Sequence, residues 1–279
     1  MCLVAVRLTI LIENAAPALS SLHCEHGLSF HVKTKHSTIL FDCGESGRAL
    51  DNAETLGLDC RTPDLVVVSH NHYDHANGFP AVAAKASVPR LVAGAGFFRQ
   101  KYSAEDGGVR LSGGCFTAQF LQERNIAFQE CGALLQLDES CWAVGMFERT
   151  HSWEKPPKKF LVETETGLVP DLFDEEIALV VRTGDGLALI AGCAHPGLLN
   201  MAATVEKRFA LPVRSVWGGC HLSAAGDECI GLTVDALNRS GVVEAGLCHC
   251  SGDAILARLE RDTHIRCRRL QTGDSVELA

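Results

Sequence analysis

Four potential metal ligands stand close together directly after an apolar run. Residues 65–78 read LVVVSHNHYDHANG and contain His70, His72, Asp74 and His75. Residues two apart on an extended chain point to the same side, so His70 and His72 can bind one ion together. Asp74 and His75 come where the chain turns, and they can reach a second ion. Imidazole and carboxylate are suitable ligands for zinc, iron or manganese, so this segment predicts a metal site.

A plainer interpretation of this segment is a solvated polar loop between a strand and a helix. That interpretation is weaker, because imidazoles packed this closely without a counter-charge repel one another when protonated. One loop cannot fill the shells of two ions, so further ligands must come from distant parts of the chain. His195, His221 and His249 are the candidates, since each follows an apolar run and small residues. A single histidine in such a place is more often a hydrogen-bonded structural residue.

The elements that must position these residues are mainly short strands. Runs rich in Val, Ile and Leu and bounded by Gly, Asp or Pro predict nine of them. They are Val4–Ile12, Leu28–Val32, Thr38–Phe41, Leu65–Ser69, Cys141–Phe147, Ile177–Val181, Leu187–Ala191, Val213–Trp217 and Val243–Leu247. Apolar residues at helical spacing predict helices over Gly47–Leu56, over Ile230–Leu237 with Asp227 as N-cap, and around Ile255 and Leu259.

In each half of the chain, strands come first and helices follow. Two such halves packed sheet against sheet, with the helices outside, form a four-layer αββα sandwich of the α/β class. The 279 residues, 47% of them hydrophobic and 21% charged, are expected to form a single domain over residues 1–279.

Composition and charge exclude some classes of protein. No uncharged apolar run is long enough to span a membrane. The net charge of −9 argues against nucleic acid as a partner, so a small-molecule substrate is expected instead. Thirteen cysteines without a CxxC pair or an export signal indicate buried thiols in the reducing cytoplasm. The oligomeric state is not predicted.

The HxHxDH segment resembles the motif of the metallo-β-lactamase superfamily. Other pieces are similar to one branch of it, the dihydropterin–ribofuranosylaminobenzene-phosphate synthase-like metal-dependent hydrolases. These pieces, spread over nearly the whole chain, are Glu25–Phe30, Ile39–Gly44, Asn52–Ala53, Ser69–Gly78, Phe173–Glu175 with Ala178–Leu179, Gly192–His195, Gly218–Leu222 and His249–Gly252. The resemblance implies an αββα sandwich with the metal ions at one edge, between the two sheets.

The resemblance also implies which residues bind which ion. It assigns His70 and His72 to the first metal, and Asp74, His75 and His249 to the second.

The remaining ligand of the first metal is expected to be His195, which lies in the GCAH motif of the branch. His151 is a rival for that place. One departure from the superfamily concerns the second metal. Most dinuclear members carry a bridging aspartate after the strand that is Leu187–Ala191 here, whereas this chain has Cys193 there. We therefore expect one or two ions, zinc first with iron or manganese as alternatives.

A bound zinc ion lowers the pKa of a coordinated water to about 7. The expected function is therefore a metal-dependent hydrolase, or a hydrolase-like synthase, acting on a small substrate that the resemblance implies to be phosphate-bearing. Asp74 is expected to orient the water and accept its proton. His221 is expected to donate to developing negative charge or to bind substrate.

Four further residues have expected supporting roles. Asp42, at a strand end, is either the partner that holds a ligand imidazole or a turn cap. His26 is expected either to line the substrate pocket or to form a hydrogen bond within its loop. Arg149 and Lys155, which lie in one loop, either contact phosphate or belong to a solvated charged loop. The loop Trp153–Phe160 is a candidate lid.

Two alternative functions stay open. A phosphodiesterase or nuclease on the same scaffold needs a basic track, and salt-sensitive binding to RNA or DNA would indicate one. A non-enzymatic metal-binding or redox-sensing module would use Cys193, Cys248 and Cys250, although buried cysteine is the commoner explanation for these residues.

Overall fold

Two seven-stranded sheets form the centre of the molecule. The computed structural model describes residues 6–278, so Val4 and Ala5 of the first predicted strand lie outside the described residues. The first sheet has, in spatial order, β18 (Ser275–Leu278), β1 (Val6–Ile12), β2 (Ser29–Lys33), β3 (Thr38–Phe41), β4 (Leu65–Val67), β5 (Arg90–Gly94) and β8 (Ala127–Cys131). Strands β3, β4, β5 and β8 run parallel to one another.

The second sheet also combines an antiparallel and a parallel part. Its spatial order is β17 (Arg266–Arg269), β16 (Glu244–Leu247), β15 (Val213–Gly218), β14 (Leu187–Ala191), β13 (Ala178–Arg182), β10 (Cys141–Val144) and β9 (Leu134–Gln136). Strands β14 to β17 are parallel. The nine predicted strands are therefore present within the described residues, with ends that differ by a few positions.

Three apolar clusters separate four layers. One lies between the sheets and contains Phe30 and Phe41 from the first with Leu179 and Ile190 from the second. In β4, Leu65 and Val67 face this central cluster, while Val66 faces the outer one, as the alternation of a strand requires.

Helices cover the outer face of each sheet. The first sheet packs against α1 (Arg48–Thr55), α2 (Tyr73–Ala76), α3 (Phe79–Lys85) and α4 (Ala118–Glu123). The second packs against α5 (Leu198–Phe209), α6 (Asp227–Arg239) and α7 (Asp253–Asp262). The four-layer αββα sandwich expected from the sequence is thereby confirmed.

A third, smaller sheet was not predicted. It consists of β12 (Gly167–Pro170), β11 (Phe160–Thr164), β6 (Lys101–Glu105) and β7 (Gly108–Leu111) in that order. Its strands are short and largely exposed, so they lack the apolar runs that identify a core strand.

The prediction for the start of α6 was wrong by one residue. Asp227 is the first residue of the helix, and Gly226 is the N-cap. No helix within residues 6–278 combines the length and the apolar composition needed to cross a membrane.

Candidate metal centre

The candidate site lies where strands of both sheets end. Asp42 follows β3 and Ser69 to His72 follow β4, while Cys193, His221 and His249 come after β14, β15 and β16. These are parallel strands, so their carboxyl ends open at one edge of each sheet, which is where α/β proteins place ligands.

His70, His72 and His195 form the first group of candidate ligands. One ring nitrogen of each lies within 4.8 Å of the others. The ring centroids are 4.8 Å apart for His70 and His72 and 5.0 Å apart for His72 and His195. The structure therefore brings together two residues of the early motif and one from the second half of the chain.

Asp74, His75 and His249 form the second group. The Nε2 atoms of His75 and His249 are 3.2 Å apart. Asp74 Oδ2 lies 3.3 Å from Nε2 of His249 and 3.7 Å from Nε2 of His75. Three ligand atoms converging in this way can surround a single cation.

Cys193 lies between the two groups. Its Sγ is 3.2 Å from Nε2 of His75, and it forms a further possible ligand set with His70 and His75, one residue from each group. A thiol thus occupies the region where the resemblance implies a bridging aspartate. It also lies close to His221 and Cys250, with all three ligand atoms within 4.8 Å of one another.

A single buried carboxylate orients one histidine of each group. Asp42 Oδ2 accepts a hydrogen bond from Nδ1 of His75 at 2.7 Å and another from Oγ of Ser69 at 2.8 Å. Ser69 Oγ in turn lies 2.9 Å from Nδ1 of His70. Both rings therefore direct Nε2 toward the site, and of the two roles considered for Asp42 the structure supports the imidazole partner.

The packing around this network requires a glycine. A Cβ at Gly192 would overlap Oγ of Ser69 and come within 3.0 Å of Asp42 Oδ2. The Gly192–Cys193 step at the end of β14 therefore lets the second sheet approach the Asp42 network of the first.

Unpartnered imidazole nitrogens indicate that the first group fits a metal ion. His70 Nε2, His72 Nε2 and both ring nitrogens of His195 are buried and have no hydrogen-bond partner among the described residues. Such orphaned atoms are costly unless something else satisfies them, and a cation would. Burial also lowers the pKa of all three histidines well below the usual value, which keeps them in the neutral, metal-binding form.

The second group is electrostatically different. Burial disfavours charge on His75, but the carboxylates of Asp42 and Asp74 outweigh it and raise the pKa of His75 to about 9. Burial likewise opposes the charge on Asp74, but His75, His249 and His26 hold its pKa well below the usual range. The second group is therefore a preformed ion pair in which a metal would replace the proton on His75.

Left-handed backbone is concentrated at this edge. Within residues 6–278, five of the eight non-glycine residues with positive φ belong to it, namely Asp42, Phe173, Ala194, His221 and His249. This conformation costs about 1–2 kcal/mol for a residue with a Cβ. Strain that the surrounding structure must over-determine is typical of functional sites.

A cavity of about 1020 Å³ opens above the two groups. His26, Tyr73, Trp153, Phe160 and His221 line it. His26 Nε2 lies 3.3 Å from Asp74 Oδ2, and the hydrogen bond to Asp74 raises the pKa of His26. Residues from the predicted lid segment and from the third sheet thus form the walls.

The two basic residues considered as phosphate contacts lie in different places relative to the cavity. Lys155 lines the cavity, as do Lys159 and Arg110, but Arg149 does not. The Arg149 guanidinium instead donates to the carbonyl oxygen of Leu172 and lies 3.5 Å from Asp174. The expectation that Arg149 contacts substrate is therefore corrected, because its charge is already engaged outside the cavity.

The structure also distinguishes His195 from its rival His151. The His151 ring contacts Trp153 at a centroid distance of 5.1 Å, and its backbone N–H donates to Asn200. It is not part of any group of candidate ligands among the described residues.

Sequence analysis did not assign roles to several residues that hold the site. Glu176 is fully buried and accepts hydrogen bonds from the backbone N–H groups of Ala194 and His195 at 2.7 and 3.0 Å. Asn14 Oδ1 lies 2.9 Å from Nδ1 of His249. The signal for Glu176 was an acidic pair directly before an apolar strand, whereas no local pattern distinguishes Asn14.

Comparison with known proteins identifies relatives over most of the chain. The family model of the metallo-beta-lactamase superfamily matches residues 24–196. A protein of Methanocaldococcus jannaschii named 7,8-dihydropterin-6-methyl-4-(beta-D-ribofuranosyl)-aminobenzene-5'-phosphate synthase is 28% identical, covering 88% of both chains.

Solved structures agree with this result. Tm1679, called a metal-dependent hydrolase of the beta-lactamase superfamily, superposes with a TM-score of 0.85 at 29% identity, covering 98% of this chain and 99% of Tm1679. The metallo-beta-lactamase fold protein YhfI from Bacillus subtilis has a TM-score of 0.61 at 10% identity, covering 98% and 99%, which shows likeness of fold alone.

Proposed function

The chain belongs to the metallo-beta-lactamase superfamily, and on that premise we propose that it is a metal-dependent hydrolase, or a hydrolase-like synthase, acting on a small phosphate-bearing substrate. One observation carries the proposal. Two groups of candidate ligands meet at the floor of a cavity, and in the first group Nε2 of His70, Nε2 of His72 and both ring nitrogens of His195 have no hydrogen-bond partner among the described residues.

In this proposal, the first group (His70, His72 and His195) holds one ion, the second group (Asp74, His75 and His249) holds another, and Cys193 lies between them. An ion bound there acidifies a coordinated water and polarises a substrate oxygen. Zinc is the first choice and iron or manganese the alternatives, because the ligands are mainly imidazole with one carboxylate and one thiol.

The side chains around the bound water and substrate then have different roles in the reaction. Asp74 stays ionised at neutral pH and orients the attacking water by accepting a hydrogen bond from it. In this proposal Asp74 also accepts the proton of that water, while His26, half-exposed at the cavity, donates from Nε2 to the Asp74 carboxylate. His221, whose ring lies 4.2 Å from that of His195, donates to developing negative charge.

The phosphate group of the substrate is assigned to the basic residues of the cavity wall. Lys155 and Lys159 line the cavity, as does Arg110, whose guanidinium lies 3.4 Å from the carboxylate of Glu105. The name of the Methanocaldococcus relative includes a 5'-phosphate group, which supports the same class of substrate here. Phe160 and Trp153 offer aromatic faces to a ring in that substrate.

The proposal is tested by metal content and turnover of His72→Ala. We expect about one to two ions per chain in the wild type. The variant should lose at least one of these ions, and kcat/KM should fall by more than about 100-fold. That is a larger loss than is usual when a residue that only hydrogen-bonds a metal ligand is removed. His36→Ala is the control, since His36 is exposed and pairs with Glu139 outside the site. A folded His72→Ala protein with unchanged metal and activity would refute the proposal.

The substrate class is tested on a panel of a phosphomonoester, a phosphodiester and a lactone. If the wild type prefers the phosphorylated compounds and the Lys155→Gln/Lys159→Gln double variant loses that preference, the result supports phosphate binding by these two lysines. Salt-sensitive binding to RNA would favour a nuclease instead. Bound metal without any turnover would favour a non-enzymatic metal-binding module.

The cytoplasm remains the proposed location. Every cysteine within residues 6–278 is a free thiol, which suits a reducing compartment.

A further inference from the structure

Most candidate ligand histidines are oriented by a hydrogen bond to the ring nitrogen that faces away from the site. Nδ1 of His70, His75 and His249 lies 2.9, 2.7 and 2.9 Å from Ser69, Asp42 and Asn14 respectively. Partners of this kind fix the tautomer and the ring plane of a metal ligand. His195 differs from these three, because neither of its ring nitrogens has a partner among the described residues, and Nε2 of His72 is also without one.

An aromatic ring takes the place of that hydrogen bond at His195. The Phe173 ring stacks on the His195 imidazole with centroids 3.7 Å apart and planes inclined by 14°. The same ring makes edge contacts with His70 and His72, at centroid distances of 6.0 and 5.2 Å. The Phe173 ring therefore packs against the rings of all three members of the first group.

Phe173 is itself held by a buried ionic cluster. The Lys101 ammonium lies 4.2 Å from the centroid of the Phe173 ring, and Lys101 is only 1% exposed. That ammonium contacts the carboxylates of Asp171, at 2.7 Å, and Glu175. Asp171 also accepts a hydrogen bond from the backbone N–H of Phe173 at 2.8 Å, and so fixes both the ring and the backbone.

The same segment holds the backbone of His195. Glu176 accepts hydrogen bonds from the N–H groups of Ala194 and His195, as described above. Residues 171–176 thus fix His195 at two points, its main chain through Glu176 and its ring through Phe173.

Such a cluster is not explained by stability alone. Burying one ammonium with two carboxylates carries a desolvation penalty that often exceeds the gain from pairing, and apolar residues of similar size are frequently as stable. In some proteins, buried groups of this kind fix a particular geometry. Here the geometry that they fix is that of an aromatic ring against a candidate metal ligand.

We propose that Phe173, held by Lys101, is the positioning residue that orients the His195 imidazole for metal binding in place of a hydrogen bond. This inference rests on the proposed function to the extent that His195 is a metal ligand. It goes beyond that proposal in assigning a role to residues that touch neither metal nor substrate.

The test compares zinc affinity in Phe173→Leu and Phe30→Leu. Phe30 is an equally buried phenylalanine of the central cluster, so its variant controls for the general loss of an aromatic ring. Stepwise affinities are measured by competition with a chromophoric chelator, after circular dichroism has shown that each metal-free protein is folded. His195→Ala and His249→Ala identify which ion belongs to which group.

Phe173→Leu should weaken the binding of the ion assigned through His195 by about 10–100-fold and leave the affinity for the other ion unchanged. Phe30→Leu should leave both affinities unchanged. Equal loss in the two variants, or no loss in Phe173→Leu, overturns the inference while leaving the proposed function intact. If no ion of the wild type responds to His195→Ala, His195 is not a ligand, and the inference fails together with that part of the proposed function.

The role of Lys101 is tested by a double-mutant cycle. Lys101→Met should weaken the binding of the same ion. Combining it with Phe173→Leu should produce little further loss of zinc affinity, because both changes interrupt one chain of contacts. Additive losses would show that Lys101 acts independently of Phe173. If Lys101→Met does not fold, Phe173→Leu alone decides the inference.

Discussion

Asp42 is the residue on which both candidate metal groups depend. Its carboxylate accepts from the backbone N–H of Ser69, from the Ser69 hydroxyl and from Nδ1 of His75. It therefore acts directly on the second group and, through Ser69 and His70, on the first. An amide at this position would present a donor to at least one of these three donors.

We predict that Asp42→Asn weakens the binding of both ions by about 10–100-fold each. The measurement is the stepwise zinc affinity of the folded variant. Asp59→Asn is the matched control, since Asp59 also accepts from a backbone N–H, that of Arg61, but is exposed and does not line the cavity. Loss at one ion alone would contradict the shared role of Asp42.

At this scale the sequence was most informative where ligands stand close together. The spacing of His70, His72, Asp74 and His75 predicted a metal site without further help, because few other structures favour such crowding. His195 and His249 stand alone in their segments, and only the family resemblance assigned them. The roles of Phe173 and Lys101 depend on a contact between residues 72 positions apart, for which no local pattern exists.

At the scale of elements, α5 shows how the loop over the site is tied to the sheet beneath it. Its N-cap, Gly197, has no side chain to satisfy the first N–H groups of the helix. Glu154 supplies that cap from the loop Trp153–Phe160, accepting from the backbone N–H groups of Leu199 and Asn200 at 2.9 and 2.8 Å. The loop is thus fastened to the helix that follows His195.

The charge of Glu154 is subject to two opposing effects. Burial favours the neutral acid, while the two N–H groups and the helix dipole favour the anion. Burial is the stronger effect, and it raises the pKa of Glu154 to about 7. A folded-state pKa above the unfolded one means that the protonated group stabilises the fold at low pH and that this stabilisation is lost as the pH rises toward 7.

We therefore predict a pH-dependent difference between the wild type and Glu154→Gln. The unfolding free energy of the wild type relative to the variant should fall by up to about 3 kcal/mol between pH 4.5 and 7, and then stay constant. Urea unfolding of the metal-free proteins across this range measures it. A difference that rises with pH would show that the helix dipole outweighs burial.

Of the two large sheets, β5, β8, β9, β17 and β18 were not predicted from the sequence. The other nine strands were, because each contains a short apolar run between turn residues. The four strands of the third sheet were not, since β7 is exposed at every position and β12 nearly so. These strands are held by pairing with one another, β12 with β11 and β7 with β6. Phe160, the first residue of β11, lines the cavity. Their position over the site is a tertiary effect that local composition does not encode.

At the scale of the molecule, the two halves of the chain contribute complementary parts of one centre. The first sheet supplies His70, His72, Asp74 and His75, and the second supplies Cys193, His195 and His249. The packing of sheet on sheet, through the central apolar cluster, brings these carboxyl ends together. The centre would therefore form only in the folded sandwich, because neither half alone contains all the ligands of the first group or of the second.

Metal binding at this edge of the two sheets can be observed by anomalous diffraction from crystals of the wild-type protein grown with zinc. Data collected on both sides of the zinc absorption edge should show an anomalous peak within ligand distance, about 2.0–2.3 Å, of the nitrogens of His70, His72 and His195, with a second peak among Asp74, His75 and His249 if both ions bind. A folded protein, saturated with zinc, that gives no anomalous peak at either group would contradict the account.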